Sequence, residues 1–164
     1  MNQEQKENLD HLQNYLKTML GFLKGKAAAY YKLLLEKGEI FTDLTLAKHS
    51  PISKDWKKLK RPKIKQCYYN SQMFLLYAHS DCGVKYYEGL CHEGLIPYLH
   101  GWNILDNKVL DFTMEVKNTT MARRKVNCDR TSPVYIGVEV PYKSVMSHIA
   151  DTGISEPIAH IYCA

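Results

Sequence analysis

The sequence predicts an α+β fold in which a central helix bearing a cysteine packs against an antiparallel sheet, with further helices at the N-terminus. Three observations predict it. Residues 3–37 place apolar side chains at helical spacing. Residues 66–79 form a second helical pattern that is apolar on nearly every side, as expected of a central helix. Most of the remaining chain consists of short, strand-like runs.

The N-terminal segment, residues 1–40, is predicted to be helical. Gly21 and Gly25 favour a break in the low twenties, which gives two helices or one kinked helix. Gly38 is the predicted C-terminal cap. The apolar stripe either packs on the rest of the chain or forms an arm that binds a partner or a second copy, and the sequence leaves both alternatives and the oligomeric state open.

Residues 41–65 are predicted to be irregular, because prolines interrupt them. Their last part, residues 54–65, concentrates seven basic residues around Trp56. Basic residues beside an aromatic side chain are typical of a single-stranded nucleic-acid groove. A solvated connector or a docking surface for an acidic substrate would use the same residues. The modest net charge of +5 does not favour nucleic acid as the expected partner.

Residues 41–164 are predicted to form the catalytic domain, which together with the N-terminal segment makes one compact domain. A chain of 164 residues is long enough for a single core. The predicted strands cover residues 84–90, 98–105, 108–114 and 133–140; a last helix covers 142–150, and an apolar tail covers 158–162.

Composition excludes a membrane-spanning protein, since no apolar run approaches the ~20 residues of a bilayer span. The polar N-terminus does not resemble a secretory signal, so a cytoplasmic location is expected. Five cysteines with no CxxC pair are expected to be free thiols in a reducing compartment.

The strands 98–105 and 108–114 are predicted to form a hairpin with Asp106 and Asn107 as its two-residue loop. In that register Trp102 lies opposite Asp111, and His100 lies opposite Thr113. His100 and Asp111 then become diagonal neighbours on one face, with Cβ atoms about 7–8 Å apart. A carboxylate at that position fixes the tautomer of the imidazole and stabilises its charged form.

Cys67 is predicted to open the central helix. The positive end of the helix dipole lowers the pKa of a thiol there, and a nearby imidazolium lowers it further, which gives a thiolate nucleophile at neutral pH. Backbone N–H groups at the same helix end can donate to an oxyanion. Cys67, His100 and Asp111 each have a structural interpretation alone; their joint pattern favours catalysis.

The segments QCYYNSQMFLLYA and YLHGWNILDNKVLDFT resemble papain-like and transglutaminase-like thiol enzymes, including arylamine N-acetyltransferases. The resemblance covers about residues 62–140 and implies a papain-like or transglutaminase-like core with a Cys67, His100 and Asp111 triad. The stretch is also similar to small uncharacterised bacterial and phage proteins with a YxEG…HAW…DPT pattern. Gly101 and Phe112 depart from that pattern.

Four further residues are predicted to line the substrate cleft or support the triad: Gln66, Asn70, Glu88 and Trp102. A glutamine upstream of the nucleophile contributes to the oxyanion hole in papain-like enzymes, but Gln66 is adjacent to Cys67, so this role is not carried over. Asn70 is interpreted as a local polar contact. Glu88 either lines the cleft and favours a basic substrate or forms a structural salt bridge. Trp102 is expected to shield the thiol and imidazole from water.

The sequence therefore predicts a cysteine-dependent acyl-transfer enzyme that hydrolyses an amide, peptide or isopeptide bond through a thioester, with no cofactor and no metal. Its expected partner is a protein, peptide or other amide substrate. The alternative is a non-catalytic binding module that uses residues 54–65. A zinc site is a third hypothesis, although its candidate ligands have irregular spacing and no CxxC knuckle: Cys67, Cys82, Cys91, His92 and Cys128.

Overall fold

The computed structural model describes residues 1–45, 62–78, 82–123 and 132–162. Helices and a curled antiparallel sheet combine in these residues, so the predicted mixture of helix and antiparallel sheet is confirmed. No helix in the described ranges is long and apolar enough to span a bilayer. The elements are α1 (Gln3–Phe22), α2 (Gly25–Lys37), β1 (Glu39–Phe41), α3 (Cys67–Tyr77), β2 (Lys85–His92), β3 (Tyr98–Leu105), β4 (Lys108–Leu110), α4 (Phe112–Arg123), β5 (Val134–Val140), α5 (Tyr142–Thr152) and α6 (Ala159–Tyr162).

The N-terminal segment forms two helices, and the predicted break in the low twenties is confirmed. A capping box starts α1: the Asn2 side chain accepts a hydrogen bond from the Gln5 N–H, and the Gln5 side chain accepts one from the Asn2 N–H, at 2.8 and 2.9 Å. Helix α1 ends before Leu23, which takes an extended conformation.

Helices α1 and α2 pack on the sheet. Leu12, Leu16 and Leu34 are almost fully buried and belong to one core with Leu90 and Ile136 of the sheet. Of the two alternatives for the apolar stripe, packing on the rest of the chain is therefore the one observed.

Gly38 caps α2 as predicted, and it is needed there for a steric reason. Its φ of −65° is not left-handed, so conformational freedom does not explain the glycine. A Cβ atom at this position would lie 2.3 Å from the Leu34 carbonyl oxygen and 2.7 Å from the Ile136 side chain. Only glycine lets the helix end approach the sheet this closely.

The sheet has the strand order β1-β5-β2-β3-β4 and every pair is antiparallel. Strand β1 is an addition to the predicted strands; at three residues it is too short to show a period. Residues 54–61, which hold most of the basic run, lie outside the described ranges.

The hairpin between β3 and β4 has the predicted loop. Asp106 and Asn107 have φ values of 51° and 59°, the positive values that a type I′ turn requires. Leu105 pairs with Lys108, and the regular pairing continues inward for two more steps.

The predicted strand 108–114 is wrong in its second half, because β4 ends at Leu110 and α4 begins at once. Asp111 is the residue that makes the change. Its Oδ1 accepts a hydrogen bond from the Met114 N–H at 2.9 Å, as a helix N-cap does. The predicted opposition of Trp102 to Asp111 and of His100 to Thr113 does not occur.

The early end of β4 leaves one edge of β3 without a strand neighbour. Pairing stops where Asn103 meets Leu110, so residues 98–102 have β2 on one side only. Helix α3 approaches β3 in this stretch, where the Ser71 hydroxyl donates to the Gly101 carbonyl oxygen at 2.9 Å.

The two faces of the sheet carry different residues. His100 and Trp102 are two residues apart on β3 and therefore share one face of the sheet. Tyr87, the cross-strand partner of Trp102, lies on the same face. Glu88 and Gly101 are partners on the other face. This division decides which predicted residues can share a site.

Candidate active site

Cys67 is the first residue of α3 and is half-buried. The loop before it is held by Asn70, which is fully buried. The Lys63 N–H donates to Asn70 Oδ1 at 2.9 Å, and Asn70 Nδ2 donates to the Lys63 carbonyl at 2.7 Å and to Thr113 Oγ1 at 2.8 Å. Asn70 thus ties the loop to α3 and α4, as the interpretation of a local polar contact predicts.

Gln66 occupies the N-cap position of α3, but its side chain makes no capping hydrogen bond and is exposed. Its backbone carbonyl accepts from the Asn70 N–H at 2.9 Å. The structure does not bring this side chain into the cleft beside Cys67.

His100 and Asp111 are in direct contact. His100 Nε2 lies 2.7 Å from Asp111 Oδ2, and both side chains are buried. This contact occupies one ring nitrogen, so Nδ1 is the nitrogen left for Cys67. The sequence prediction that these two residues meet is therefore correct, although the strand pairing beyond Leu110 from which it was derived does not form.

Three donors fix the Asp111 carboxylate. Oδ2 accepts from the Tyr135 hydroxyl at 3.0 Å as well as from the His100 ring, while Oδ1 accepts from the Met114 N–H. A buried carboxylate with this many partners stays charged and keeps one orientation.

The pKa shifts of Cys67, His100 and Asp111 favour an ion pair between a Cys67 thiolate and a His100 imidazolium. Burial alone raises the pKa of the Cys67 thiol, but hydrogen bonding and coulombic attraction to His100, together with the Gly101 N–H, lower it overall. Burial lowers the pKa of His100, but the Asp111 charge and hydrogen bond raise it well above its usual value. For Asp111, burial raises the pKa and the attraction of His100 reverses the effect.

The packing around Gly101 accounts for the glycine that stands where the HAW pattern has alanine. Its backbone N–H interacts with the Cys67 sulfur across the open edge of β3. A Cβ atom at this position would lie 2.9 Å from a ring carbon of Tyr68 and 3.0 Å from the Tyr86 hydroxyl. Alanine here would require the Tyr68 ring and the Tyr86 hydroxyl to shift.

Trp102 lies beside His100 on one face of β3, as predicted. The two rings are stacked with centroids 6.3 Å apart and 17° between their planes, and the indole is fully buried. Tyr98 also contacts the His100 ring edge-on, with centroids 5.5 Å apart. Aromatic rings therefore pack against the imidazole, while His100 still lines the cleft.

A cleft of about 550 Å³ opens onto Cys67 and His100. This volume lies in the usual range for a small-molecule or peptide site. Asp111 and Trp102 lie behind the cleft wall and do not line it. The lining residues are Ile64, Lys65, Cys67, Glu93, Tyr98, Leu99, His100, Thr113, Met114, Lys117 and Thr120.

Glu88 does not line this cleft, and neither of its two predicted roles is observed. It lies on the opposite face of the sheet and contributes to a separate pocket of about 230 Å³. Its carboxylate accepts from the backbone N–H groups of Ile158 and Ala159 and from the Tyr86 hydroxyl, at 2.8 to 3.0 Å. These donors are neutral, so the expected salt bridge is replaced by a cap on α6.

The zinc hypothesis gains no support from the geometry. Within the part of the chain that the structure describes, no three His, Cys, Asp or Glu side chains are arranged to hold a metal ion. Cys67, Cys82 and Cys91 are free thiols, and burial raises the pKa of Cys91 well above its usual value. Cys128 lies outside the described ranges.

No protein-family model, curated protein or solved structure matches this chain. The interpretation of the site therefore depends on its own geometry.

The sequence missed two contributors to the site. Tyr135 is twenty-four residues from the carboxylate that it contacts, and nothing local marks it. The Gly101 N–H is a backbone group, and it is free to interact with Cys67 only because β3 has no strand neighbour on that edge at this residue. The N-cap role of Asp111 did have a signal, since an aspartate directly before a helical run is a preferred cap.

Proposed function

We propose that this protein is a cysteine-dependent acyl-transfer enzyme that hydrolyses an amide, peptide or isopeptide bond through a thioester. One observation carries the proposal: Cys67 and His100 line the same cleft, the imidazole lowers the pKa of the thiol, and the ring's Nε2 lies 2.7 Å from the Asp111 carboxylate. A protein or peptide is the expected substrate, because the cleft beside the thiol is open and largely apolar.

In the first half-reaction, the Cys67 thiolate attacks the carbonyl carbon and forms the S–C bond. The carbonyl oxygen becomes an oxyanion, which the N–H groups in the first turn of α3 stabilise, because they lack intrahelical acceptors. The His100 imidazolium gives its proton to the amine as the C–N bond breaks. The amine leaves and a thioester remains on Cys67.

In the second half-reaction, neutral His100 takes a proton from a water molecule, whose oxygen attacks the thioester carbonyl. The S–C bond breaks, the carboxylic acid leaves, and the thiolate–imidazolium pair is restored. Asp111 holds the ring in one tautomer and stabilises its charge in both half-reactions.

The proposal includes the fold family. A papain-like or transglutaminase-like core is supported by three placements: the cysteine at the start of α3, the histidine on β3, and the aspartate directly after β4. The helix that carries the thiol also packs on the strand that carries the imidazole.

The test is the reactivity of each thiol. Wild-type protein is treated with limiting iodoacetamide at neutral pH, and alkylation of every cysteine is followed by peptide mass spectrometry. Cys67 is expected to react at least about tenfold faster than Cys82, because the His100 ring lowers the pKa of the Cys67 thiol and so raises its thiolate fraction. His100→Gln should remove most of this difference.

Acylation gives a second readout. Incubation with p-nitrophenyl acetate should release p-nitrophenolate and leave an acetyl group on Cys67, which Cys67→Ala abolishes. Equal alkylation of Cys67 and Cys82, together with no acetylated Cys67, would exclude a thiol enzyme. The alternative binding module depends on residues 54–65, most of which lie outside the described ranges, and no observation favours it.

A further inference from the structure

The cleft carries three charged side chains besides the catalytic residues: Lys65, Glu93 and Lys117. Two of them neutralise each other. Lys117 Nζ lies 2.8 and 3.0 Å from the two carboxylate oxygens of Glu93, and the Tyr98 hydroxyl donates to the same carboxylate. This pair lines the cleft and carries no net charge.

Lys65 is different. It lies two residues before the nucleophile and its side chain is exposed in the cleft. No carboxylate among the described residues forms a salt bridge with it, whereas Lys117 and Lys85 both have such partners. The charge of Lys65 is therefore available to a molecule bound in the cleft.

The backbone at Lys65 gives a second reason to single it out. Its φ is 64°, in the left-handed region that glycine and asparagine favour. A lysine there costs about 1–2 kcal/mol relative to an ordinary conformation. Backbone strain of this kind clusters at functional sites.

The catalytic residues themselves do not attract a substrate carboxylate, whereas the Lys65 ammonium does. The Cys67 thiolate, the His100 imidazolium and the Asp111 carboxylate together leave one net negative charge, so a substrate with its own carboxylate is repelled near the reacting atoms. A lysine at the cleft rim offsets that repulsion and attracts the anion.

We propose that Lys65 is a specificity residue that binds a carboxylate of the substrate, so that the enzyme prefers acyl donors bearing a negative charge close to the scissile carbonyl, such as peptides with Asp or Glu beside the cleaved bond. This inference rests on the proposed acyl-transfer function, because it names the substrate class of the same site.

The experiment compares two alkylating agents that differ in charge. Iodoacetamide is neutral and iodoacetate is an anion; with each, the Cys67 sulfur forms an S–C bond as the C–I bond breaks and iodide leaves. The rate constant for iodoacetate divided by that for iodoacetamide is measured at Cys67 and normalised to the same ratio at Cys82. Since thiol ionisation affects both agents equally, the ratio reports the local charge.

Lys65→Gln is expected to lower this ratio by about two- to fivefold, the effect of one partly exposed charge, and 0.5 M salt should lower the wild-type ratio similarly. Lys63→Gln is the matched control. It removes the same charge from the same loop, but its ammonium lies over the Tyr69 ring, 5.2 Å from the centroid, and it does not line the cleft. Its ratio should equal that of wild type.

A pair of ester substrates tests recognition at a longer distance. The p-nitrophenyl monoester of succinate and p-nitrophenyl butyrate have acyl chains of equal length, and only the first is anionic. Lys65→Gln should lower the succinate-to-butyrate ratio of kcat/KM by about two- to fivefold. Lys65→Gly, which suits the positive φ, should do the same and guards against a folding defect.

The outcomes separate the two proposals. If Cys67 reacts with neither iodoacetamide nor an ester faster than Cys82 does, the acyl-transfer function fails. If Cys67 is reactive but both ratios are the same in Lys65→Gln, Lys65→Gly and Lys63→Gln, the function stands and the role of Lys65 is overturned.

Discussion

Asp111 and Glu88 are both buried carboxylates, with exposed fractions of 4% and 1%, and they lie in regions on opposite sides of the same sheet. Burial raises the pKa of each. In Glu88 burial prevails, because its partners are backbone N–H groups and a hydroxyl. In Asp111 the attraction of the His100 ring prevails, and the pKa falls below its usual value.

Burial alone therefore does not identify a functional carboxylate. Glu88 completes a structural connection, whereas Asp111 combines two tasks: its Oδ1 caps α4 and its Oδ2 orients His100. The partner determines the role, and only Asp111 has a partner that can change its charge during a reaction.

Asp111→Asn should have the largest effect of the substitutions at these two carboxylates. We expect the rate of Cys67 acylation by p-nitrophenyl acetate to fall on the order of a thousandfold, because the neutral amide neither stabilises the imidazolium nor fixes its tautomer. Asparagine is also a good N-cap, so α4 keeps its cap, but loss of the buried ion pair with His100 should lower the free energy of unfolding by about 3 kcal/mol. Asp111→Ala, which removes the cap too, should lose about 1 kcal/mol more stability. Acylation within about threefold of wild type would contradict the assignment.

The pH dependence of alkylation at Cys67 measures how far the His100 ring outweighs burial in setting the thiol pKa. The thiolate reacts, and its fraction grows as pH rises through the thiol pKa. Because His100 lowers that pKa, the rate at Cys67 should reach half its plateau below pH 9.0. In His100→Gln burial and the Asp111 charge raise the thiol pKa and only the Gly101 N–H still lowers it, so the midpoint should move to higher pH. Peptide mass spectrometry after timed alkylation gives both midpoints at Cys67, and coincident curves would show that the ring does not act on the thiol.

Glu88→Gln tests the other carboxylate. The amide replaces one acceptor oxygen with a donor that faces the N–H groups of Ile158 and Ala159, so the free energy of unfolding should fall by about 2 kcal/mol. Urea denaturation measures this loss. Alkylation of Cys67 in the folded protein should stay at the wild-type rate; a slower rate with unchanged stability would return Glu88 to the site.

Tyr135→Phe should have the smallest effect. It removes one donor to Asp111 and keeps the ring, so we expect a loss of about 1 kcal/mol in stability and a severalfold slower acylation. Tyr87→Phe is the matched control: it removes a hydroxyl that donates to Glu39 at 2.8 Å, away from His100. Equal acylation rates in the two variants would mean that Tyr135 only packs.

Much of the local structure was predictable. The helical period located α1, α2 and α3, and the Asp106–Asn107 loop set the register of the hairpin at its first pairs, because a two-residue turn with positive φ permits few alternatives. The predicted strand over 108–114 is wrong from Asp111 onward, where a capping side chain ends the alternation.

The residue pattern alone specified that a thiol opens a buried helix, that an imidazole lies on a hairpin and that a carboxylate follows it, since spacing, capping and turn chemistry are local properties. Tertiary contacts were needed to bring Cys67 to the open edge of β3, to join Tyr135 to Asp111 and to turn Glu88 to the opposite face. These depend on contacts between residues far apart in the chain, which become defined only when the sheet is assembled and its two faces are packed.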